Sequence, residues 1–453
     1  MVPGLIDRVT LDRPRVETVP SCISYSARLS ARPEFAPWVV DAVTGGAALG
    51  DHDQARNAAM GEAVERYCGN AVPGALPIAS YRQLTRTGRP AVDPREFALY
   101  SPSQYAHRGF PFVAMTPDLE IAWAPGADLA GGGEVLVPAS LAYVNYFRGA
   151  HGDEPPTNYP ILAGTAAGTS PEQARRAALE EVFERDAVTL WWLSGAPATA
   201  LAPQPGGPVD AAVGEARTAG LQVTFLRIPS TFDVTVVAAF VEDPARRLVA
   251  FGSACRSTAE AAAAKALTEA VGMHETGLEL LDHDGDFWTA VRAGRIGHRP
   301  YRPYRSDRAY REDFRPDLRD VNDVRLHLQL HLDPRAQDAR LDRLRTPDSA
   351  LPPNPTTGSG AGLDGGLNGG LHGGLRQITA QGLRAVAVDL TTPSVRDAGL
   401  HVARVLVPGL SCNAPAAFPF LGGRRLYEEP VARGWVPGPL REDALVLDPL
   451  PFS

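Results

Sequence analysis

Five glutamates recur at helical spacing in three separate segments: Glu62 and Glu65, Glu181 and Glu184, and Glu269. Arg66 and Arg185 follow the two complete pairs. Steps of three and four residues put such side chains on one face of a helix. Were the three helices to converge, the carboxylates would collect in one place, where each raises its neighbours' pKa and burial adds to the cost. They would need cations. All-oxygen ligands suit Mg²⁺, which keeps several waters and is shared between a few carboxylates and phosphate oxygens. The forked guanidinium groups of Arg66 and Arg185 suit phosphate oxygens beside the metal. The pattern is that of a nucleotide site without a Walker loop. A solvated Glu181–Arg185 ion pair would account for one such helix alone, so the argument rests on the repetition.

The elements that must hold these groups are legible. Residues 170–192, SPEQARRAALEEVFERDAVTLWW, open on Ser170, Pro171 and Gln173. A hydroxyl cap, a proline at the first helical position and a side chain reaching back predict a helix start. Leu179, Val182, Phe183, Ala187 and Leu190 make one face apolar, with Glu181, Glu184 and Arg185 on another. Residues 51–67, DHDQARNAAMGEAVERY, align with this segment without a gap, Glu62 on Glu181, Glu65 on Glu184 and Arg66 on Arg185. Residues 258–274, TAEAAAAKALTEAVGMH, are a third copy in which Glu269 is kept but Gly272 and Met273 replace the second Glu and the Arg. Glycines precede each copy (Gly45, Gly46 and Gly50; Gly164 and Gly168; Gly252) and predict turns that bring backbone close to a ligand. The irregular spacing predicts three related units around one centre rather than a solenoid.

At these residues the chain resembles the YcaO family, and within it the ATP-dependent azoline-forming cyclodehydratases that modify peptides. The resemblance is carried by GEAVERY around Glu62, AAGTSPEQARRAALEEVFERDA around Glu184, AKALTEAV around Glu269, VDLTTPSVRDAGLHVARVLVPGL from Val388, GGRRLYEEP from Gly422 and the ending DPLPFS. It implies an α/β (α+β) fold of mixed, largely antiparallel sheets with three helix modules around one nucleotide site. It implies that ATP and Mg²⁺ are held by Glu62, Glu65, Arg66, Glu181, Glu184, Arg185 and Glu269, the five glutamates serving the metal. The reaction implied turns Cys, Ser or Thr of a ribosomally made precursor peptide into thiazoline or oxazoline, by phosphorylating a backbone amide oxygen. Thioamide or macrocyclic amidine formation, and a scaffold role in a peptide-modifying complex, are the alternatives within the family. The family's proline-bearing tail is threaded into the active site, which implies a catalytic place for Pro449, Pro451 and the carboxylate of Ser453.

The chain departs from the family at Ala58, where a serine is usual, at Ala47, where a nucleotide-contacting lysine is often found, at Gly272 and Met273, where a glutamine is expected, and at Ser453, where the tail would end on proline. Donors to the nucleotide are lost while every carboxylate stays, so weakened or altered use of ATP is expected rather than its loss. A YcaO-like domain from residue 20 leaves no room for a leader-peptide-binding domain, which needs on the order of 80 residues to bury a core. A separate partner protein is therefore expected to recruit the precursor peptide, and a homodimer stays open.

The remaining sequence sets bounds. With 453 residues, 44% apolar and 21% charged, the chain can bury a large core. The expected division is an N-terminal extension over 1–19 and one domain over 20–453. That domain carries a charged excursion at 299–348, a low-complexity mobile loop at 351–375 and the tail at 447–453. A net charge of −8 argues against nucleic acid as partner. No apolar run is long enough for a signal sequence or a membrane span, so a cytoplasmic protein is expected. Cys22, Cys68, Cys255 and Cys412 are too scattered for a zinc site and read as small core residues. His327 and His331, in RLHLQLHL, alternate as in a strand with one polar face. Strands are also predicted over 137–147, 222–227, 234–241, 383–390 and 401–407. Arg424 and Arg425 face either phosphate or an acidic neighbour.

Overall fold

The computed structural model describes residues 4–14, 16–30, 42–294, 300–337, 341–347 and 370–452. Among these, the strands form three sheets whose pairings are antiparallel, in keeping with the largely antiparallel sheets that the resemblance implies. Strands β1 (Ile6–Leu11), β2 (Cys22–Leu29) and β3 (Val43–Leu49) make the first, in that order. The second contains β4 (Ile78–Ala79), β5 (Ile121–Asp128), β6 (Glu134–Pro138), β7 (Thr165–Gly168), β12 (Val386–Asp389) and β13 (His401–Leu406). Its order is β4-β5-β12-β13-β7, with β6 also on β5. The third is β11-β10-β9-β8, from Leu248–Arg256, Thr235–Asp243, Gln222–Ile228 and Thr199–Ala200.

Each of the three repeated segments is a strand followed by a helix. Strand β3 leads into α1 (His52–Asn70), β7 into α2 (Pro171–Ser194) and β11 into α3 (Ala259–Leu281), each across two residues. In every case the strand lies at an edge of its own sheet. The caps sit at matching places: Asp51, Ser170 and Thr258 accept the backbone N–H of Gln54, Gln173 and Ala261 at 2.9, 3.1 and 3.1 Å. Gln173 reaches back to the N–H of Thr169 rather than of the cap itself. The glycines differ from expectation. Gly45, Gly46, Gly168 and Gly252 lie within strands, not turns. A Cβ on Gly46 would overlap Ala59 of α1, and one on Gly252 would overlap Ala266 of α3. Their service is close packing of helix on strand.

The core gathers around α2, whose second half is buried from Asp186 to Ser194. Leu190 and Trp191 pack with Phe240 and Phe251 of the third sheet. Burying such side chains contributes about 1.5–3 kcal/mol each. A second cluster joins Ala63 and Val64 of α1 to Val388 and Val402.

Several expectations need correction. Residues Ile6–Leu11, inside the expected extension over 1–19, form β1 and pair with β2 along most of that strand. RLHLQLHL is a helix, Arg325–His331, buried from Leu326 onwards. A short apolar run carries little periodic information, and full burial makes alternation meaningless. The strand expected over 137–147 stops at Pro138, and Ala139–Ala142 form a helical turn. The charged stretch builds its own apolar cluster, in which Tyr310, Phe314, Val321 and Leu326 pack with Trp288. Its arginines pair with nearby acids instead, such as Arg305 with Asp313 at 2.6 Å and Arg335 with Asp333 at 2.7 Å. Of the low-complexity loop, 351–369 lie outside the described residues. Residues 370–375 belong to helix Gly370–Ala380, where Leu371 is buried. The strands expected near 222–227, 234–241, 383–390 and 401–407 are present with shifted ends. All four cysteines are free thiols, Cys68 and Cys255 buried and Cys22 and Cys412 partly so.

Candidate active site

The three module helices and the three edge strands meet at a cavity of about 960 Å³. Glu62, Glu65, Arg66, Glu181, Glu184, Arg185 and Glu269 all line it. The sequence repeat therefore corresponds to one place in space.

The two glutamates of a module do different things. The second one ties its helix to the next module's edge strand. Glu65 accepts the backbone N–H of Ala167 in β7 at 2.7 Å. Glu184 accepts the Ser253 hydroxyl at 2.7 Å and the Cys255 N–H at 3.2 Å, both from β11. At the third seam, between α3 and β3, the second glutamate is replaced by Gly272. Gly45, Ala47, Gly272 and Met273 line the cavity there. The first glutamate of each module pairs with a cation on its own helix, Glu62 with Arg66, Glu181 with Arg185 at 3.6 Å and Glu269 with Lys265, and Arg185 also meets Glu184 at 3.1 Å. Glu181 also accepts the Gly164 N–H at 2.8 Å.

The electrostatics are those of an under-neutralised acidic site. Burial, then Glu62, holds the Glu65 carboxyl well above the usual carboxylate range, against the opposing pull of the Ala167 N–H. Burial also raises Glu181, outweighing Arg185. For Glu269 burial acts upwards too, yet Lys265 and Arg185 leave it below its ordinary value. Burial would lower Arg185, but Glu184 and Glu181 leave it raised.

Among the described residues no three His, Cys, Asp or Glu side chains are gathered into a ready-made metal cage. The donor set nevertheless fits Mg²⁺: all-oxygen, acidic, and with carboxylates whose raised affinity for a proton marks negative charge that a cation would relieve. Arg66, Arg185 and Lys265 could hold phosphate oxygens beside it.

Among the cavity residues that escaped the sequence reading are Lys265, Arg256, Ser253 and Phe452. Lys265 stands where the gapless alignment places Ala58 and Ala177 in the other copies, so the third module brings a cation to the same level. That alignment carried the signal. Phe452 gave none. The tail carrying it is held through its carbonyls: Asp448 O accepts the Trp192 indole N–H at 2.6 Å, Pro449 O the His331 Nε2–H at 2.8 Å, and Pro451 O the Phe251 N–H at 3.0 Å. Pro449 and Pro451 are buried and absent from the cavity wall, whereas Phe452 lines it, 6.0 Å from the Phe251 ring and 5.6 Å beneath the Arg185 guanidinium. Ser453 lies outside the described residues. Arg425 and Arg424 meet acidic neighbours, Asp186 at 3.0 Å and Glu428 at 2.7 Å.

A site of carboxylates and phosphate-matching cations on three strand–helix units defines an ATP- and Mg²⁺-binding class. The family model described as YcaO cyclodehydratase, ATP- and Mg²⁺-binding, matches residues 46–411, and the chain belongs to that family. Solved structures share the fold. One is a heterocyclase in complex with substrate and cofactor, 20% identical with a TM-score of 0.72, covering 99% of this chain and 55% of that one. Another is YcaO from Methanopyrus kandleri bound with AMPPCP and Mg²⁺, at 18% identity and TM-score 0.55, covering 90% and 86%. A third is a chain of the E. coli microcin synthetase McbBCD complex with pro-MccB17 bound, at 12% and 0.54, covering 89% and 88%. The present chain thus spans about half the length of the heterocyclase. No curated protein sequence matches it.

Proposed function

We propose that the protein is an ATP- and Mg²⁺-dependent cyclodehydratase that converts Cys, Ser or Thr of a ribosomally made precursor peptide into thiazoline or oxazoline. The observation that carries this reading is the single cavity in which all three modules present their carboxylates and cations, with the tail at its wall. Glu62, Glu181 and Glu269 are the carboxylates paired only with side-chain cations or a loop N–H, and they are assigned to Mg²⁺, with Glu65 and Glu184 adjoining. Arg66, Arg185 and Lys265 are assigned to phosphate. Mg·ATP, when bound, supplies the phosphoryl group that lets the amide oxygen depart as phosphate once the Cys, Ser or Thr side chain has added to the amide carbon. The chain's own part is to neutralise charge, align the amide and exclude water. Phe452, fixed by the hydrogen bonds to the three tail carbonyls, closes one side of the cavity.

The substrate is delivered by a separate leader-binding protein, as the assembly of the microcin synthetase complex suggests, and a homodimer is compatible with this. No helix among the described residues is long and apolar enough to cross a membrane. Mass spectrometry of a Cys/Ser/Thr-containing precursor treated with the protein, its partner, ATP and Mg²⁺ should show loss of one water per ring. Exchange of oxygen for sulfur would instead point to thioamide formation, and an unchanged peptide with unconsumed ATP to a scaffold.

A further inference from the structure

We infer that Lys265 is a latch on the carboxylate of the third module, holding Glu269 before ligand binds and leaving it for phosphate when ATP arrives, so that nucleotide and Mg²⁺ load together. This rests on the ATP and Mg²⁺ assignment made above. The first observation is one of composition. The chain has 43 arginines and a single lysine, and that lysine lines the cavity. Even the partners of Glu62 and Glu181 are arginines. Position 265 therefore has a duty that arginine does not fill. The arginine fork matches a carboxylate with two N–H groups and holds it. Lysine offers a compact point charge on a flexible four-carbon stem, a contact that can be handed from one anion to another.

The second observation is one of order. In the first two modules the cation stands four residues after its carboxylate, as Arg66 and Arg185, and Ala58 and Ala177 stand four before. The third module reverses this, with Lys265 four before Glu269 and Met273 four after, all of them on the cavity wall. A cation that precedes its carboxylate is the weaker of the two arrangements at this spacing on a helix. The pair is also open to the cavity, with Lys265 33% and Glu269 45% exposed. The Glu269 stem is fixed, because a Cβ on Gly252 of β11 would come within 2.7 Å of the Glu269 Cβ. When the pair opens, Lys265 is the side that moves.

The two duties assigned to this pair exclude each other while it is closed. An ammonium group held against Glu269 repels a divalent cation approaching the same oxygens. Lys265 finds oxygens of greater charge on ATP, and in moving to them it clears Glu269 for a metal that the phosphates share. Whichever ligand binds first must open the latch, and the second finds it open. The result is a reciprocal coupling between nucleotide and metal beyond their direct contact.

The test uses the full chain, with Mn²⁺ read by electron paramagnetic resonance in place of Mg²⁺. Because there is one lysine, ¹³C-lysine labelling gives one side-chain NMR signal, which should move when ATP is added in EDTA. Lys265→Met should tighten Mn²⁺ alone and weaken metal-free ATP, each threefold or more. Loss of any cavity cation would act in these directions, so the deciding quantity is the coupling, the affinity for Mn·ATP divided by the product of the affinities for Mn²⁺ and for ATP alone. It should fall threefold or more in Lys265→Met, whereas loss of an ordinary charge leaves it unchanged. Lys265→Arg keeps the charge but grips Glu269 with two N–H groups, and should bind Mn·ATP threefold or more weakly than the parent. An unmoved lysine signal, an unaltered coupling in Lys265→Met, or a Lys265→Arg chain equal to the parent would overturn the latch and leave the cyclodehydratase reading standing. A parent chain that binds neither ATP nor Mn²⁺ would overturn the site assignment and the latch with it.

Discussion

Glu181 and Glu184 are one turn apart and have different duties. Glu181→Gln keeps the shape and the Gly164 hydrogen bond but removes charge, so Mg·ATP turnover should fall by at least ~10²-fold with the fold intact, as read by phosphate release and thermal unfolding. Glu184→Gln weakens charge-assisted bonds to Ser253 and Cys255, each worth about 1.5–3 kcal/mol, and should lower stability as well as turnover. Near-normal hydrolysis in both would return them to the status of surface ion pairs. Glu275, at the cavity's far end, is a pH reporter. Burial, then Asp12 and Glu279, pushes its carboxyl up to about 7. The folded state therefore holds this proton more tightly than the unfolded chain, so the associated stability is full below pH 4.5 and is lost as pH rises through about 7. Thermal unfolding should show the parent losing stability between pH 4.5 and about 7, and Glu275→Gln should flatten that slope. At this scale the sequence was informative: helical spacing and repetition pointed to the five module carboxylates of the cavity, but not to Asp12, Glu275 and Glu279, which lie outside the repeat. Lys265 was visible in the same alignment, but it stands where the other copies have alanine, and comparison by identity passes over a position of that kind.

Among the elements, the tail depends most on parts far away in the chain. Its prolines were legible as restraints on an extended segment, but its partners were not, since Trp192, Phe251 and His331 come from a helix, an edge strand and the charged excursion. That excursion was misread for a related reason. LHLQLHL alternates as strands do, yet burial on all sides removes the polar face that would have distinguished a helix. Removing residues 450–453 should leave ATP affinity largely unchanged, because the module carboxylates are elsewhere, and should lower ring formation by at least ~10²-fold, the scale of losing a positioned proton-transfer group. Trp192→Phe takes away the indole donor that holds the Asp448 carbonyl. Ring formation should fall with nucleotide affinity kept, measured by peptide mass spectrometry beside a nucleotide titration. Equal loss of both would make the tail a stability element.

For the molecule as a whole, three copies of one motif were evident in the sequence, but their mutual fastening was not, because Ala167 meets Glu65 and Cys255 meets Glu184 across 102 and 71 residues. Among the described residues two seams are tied in this way, and at the third Gly272, which lines the cavity with Gly45 and Ala47 of β3, stands where that carboxylate would be. Every second N–H of β3 turns away from β2, Gly45 and Ala47 among them, as the Gly50–Ser21 and Leu29–Ala42 hydrogen bonds imply. These two amides should exchange with solvent hydrogen faster than those of Ala167 and Cys255, and nucleotide should slow them. A ring with three equal clasps would present the same face to a ligand three times over. Leaving one clasp undone breaks that equivalence, as the cut in a split washer does. The circle acquires a single place at which it can spread, and a bound molecule acquires a head and a foot.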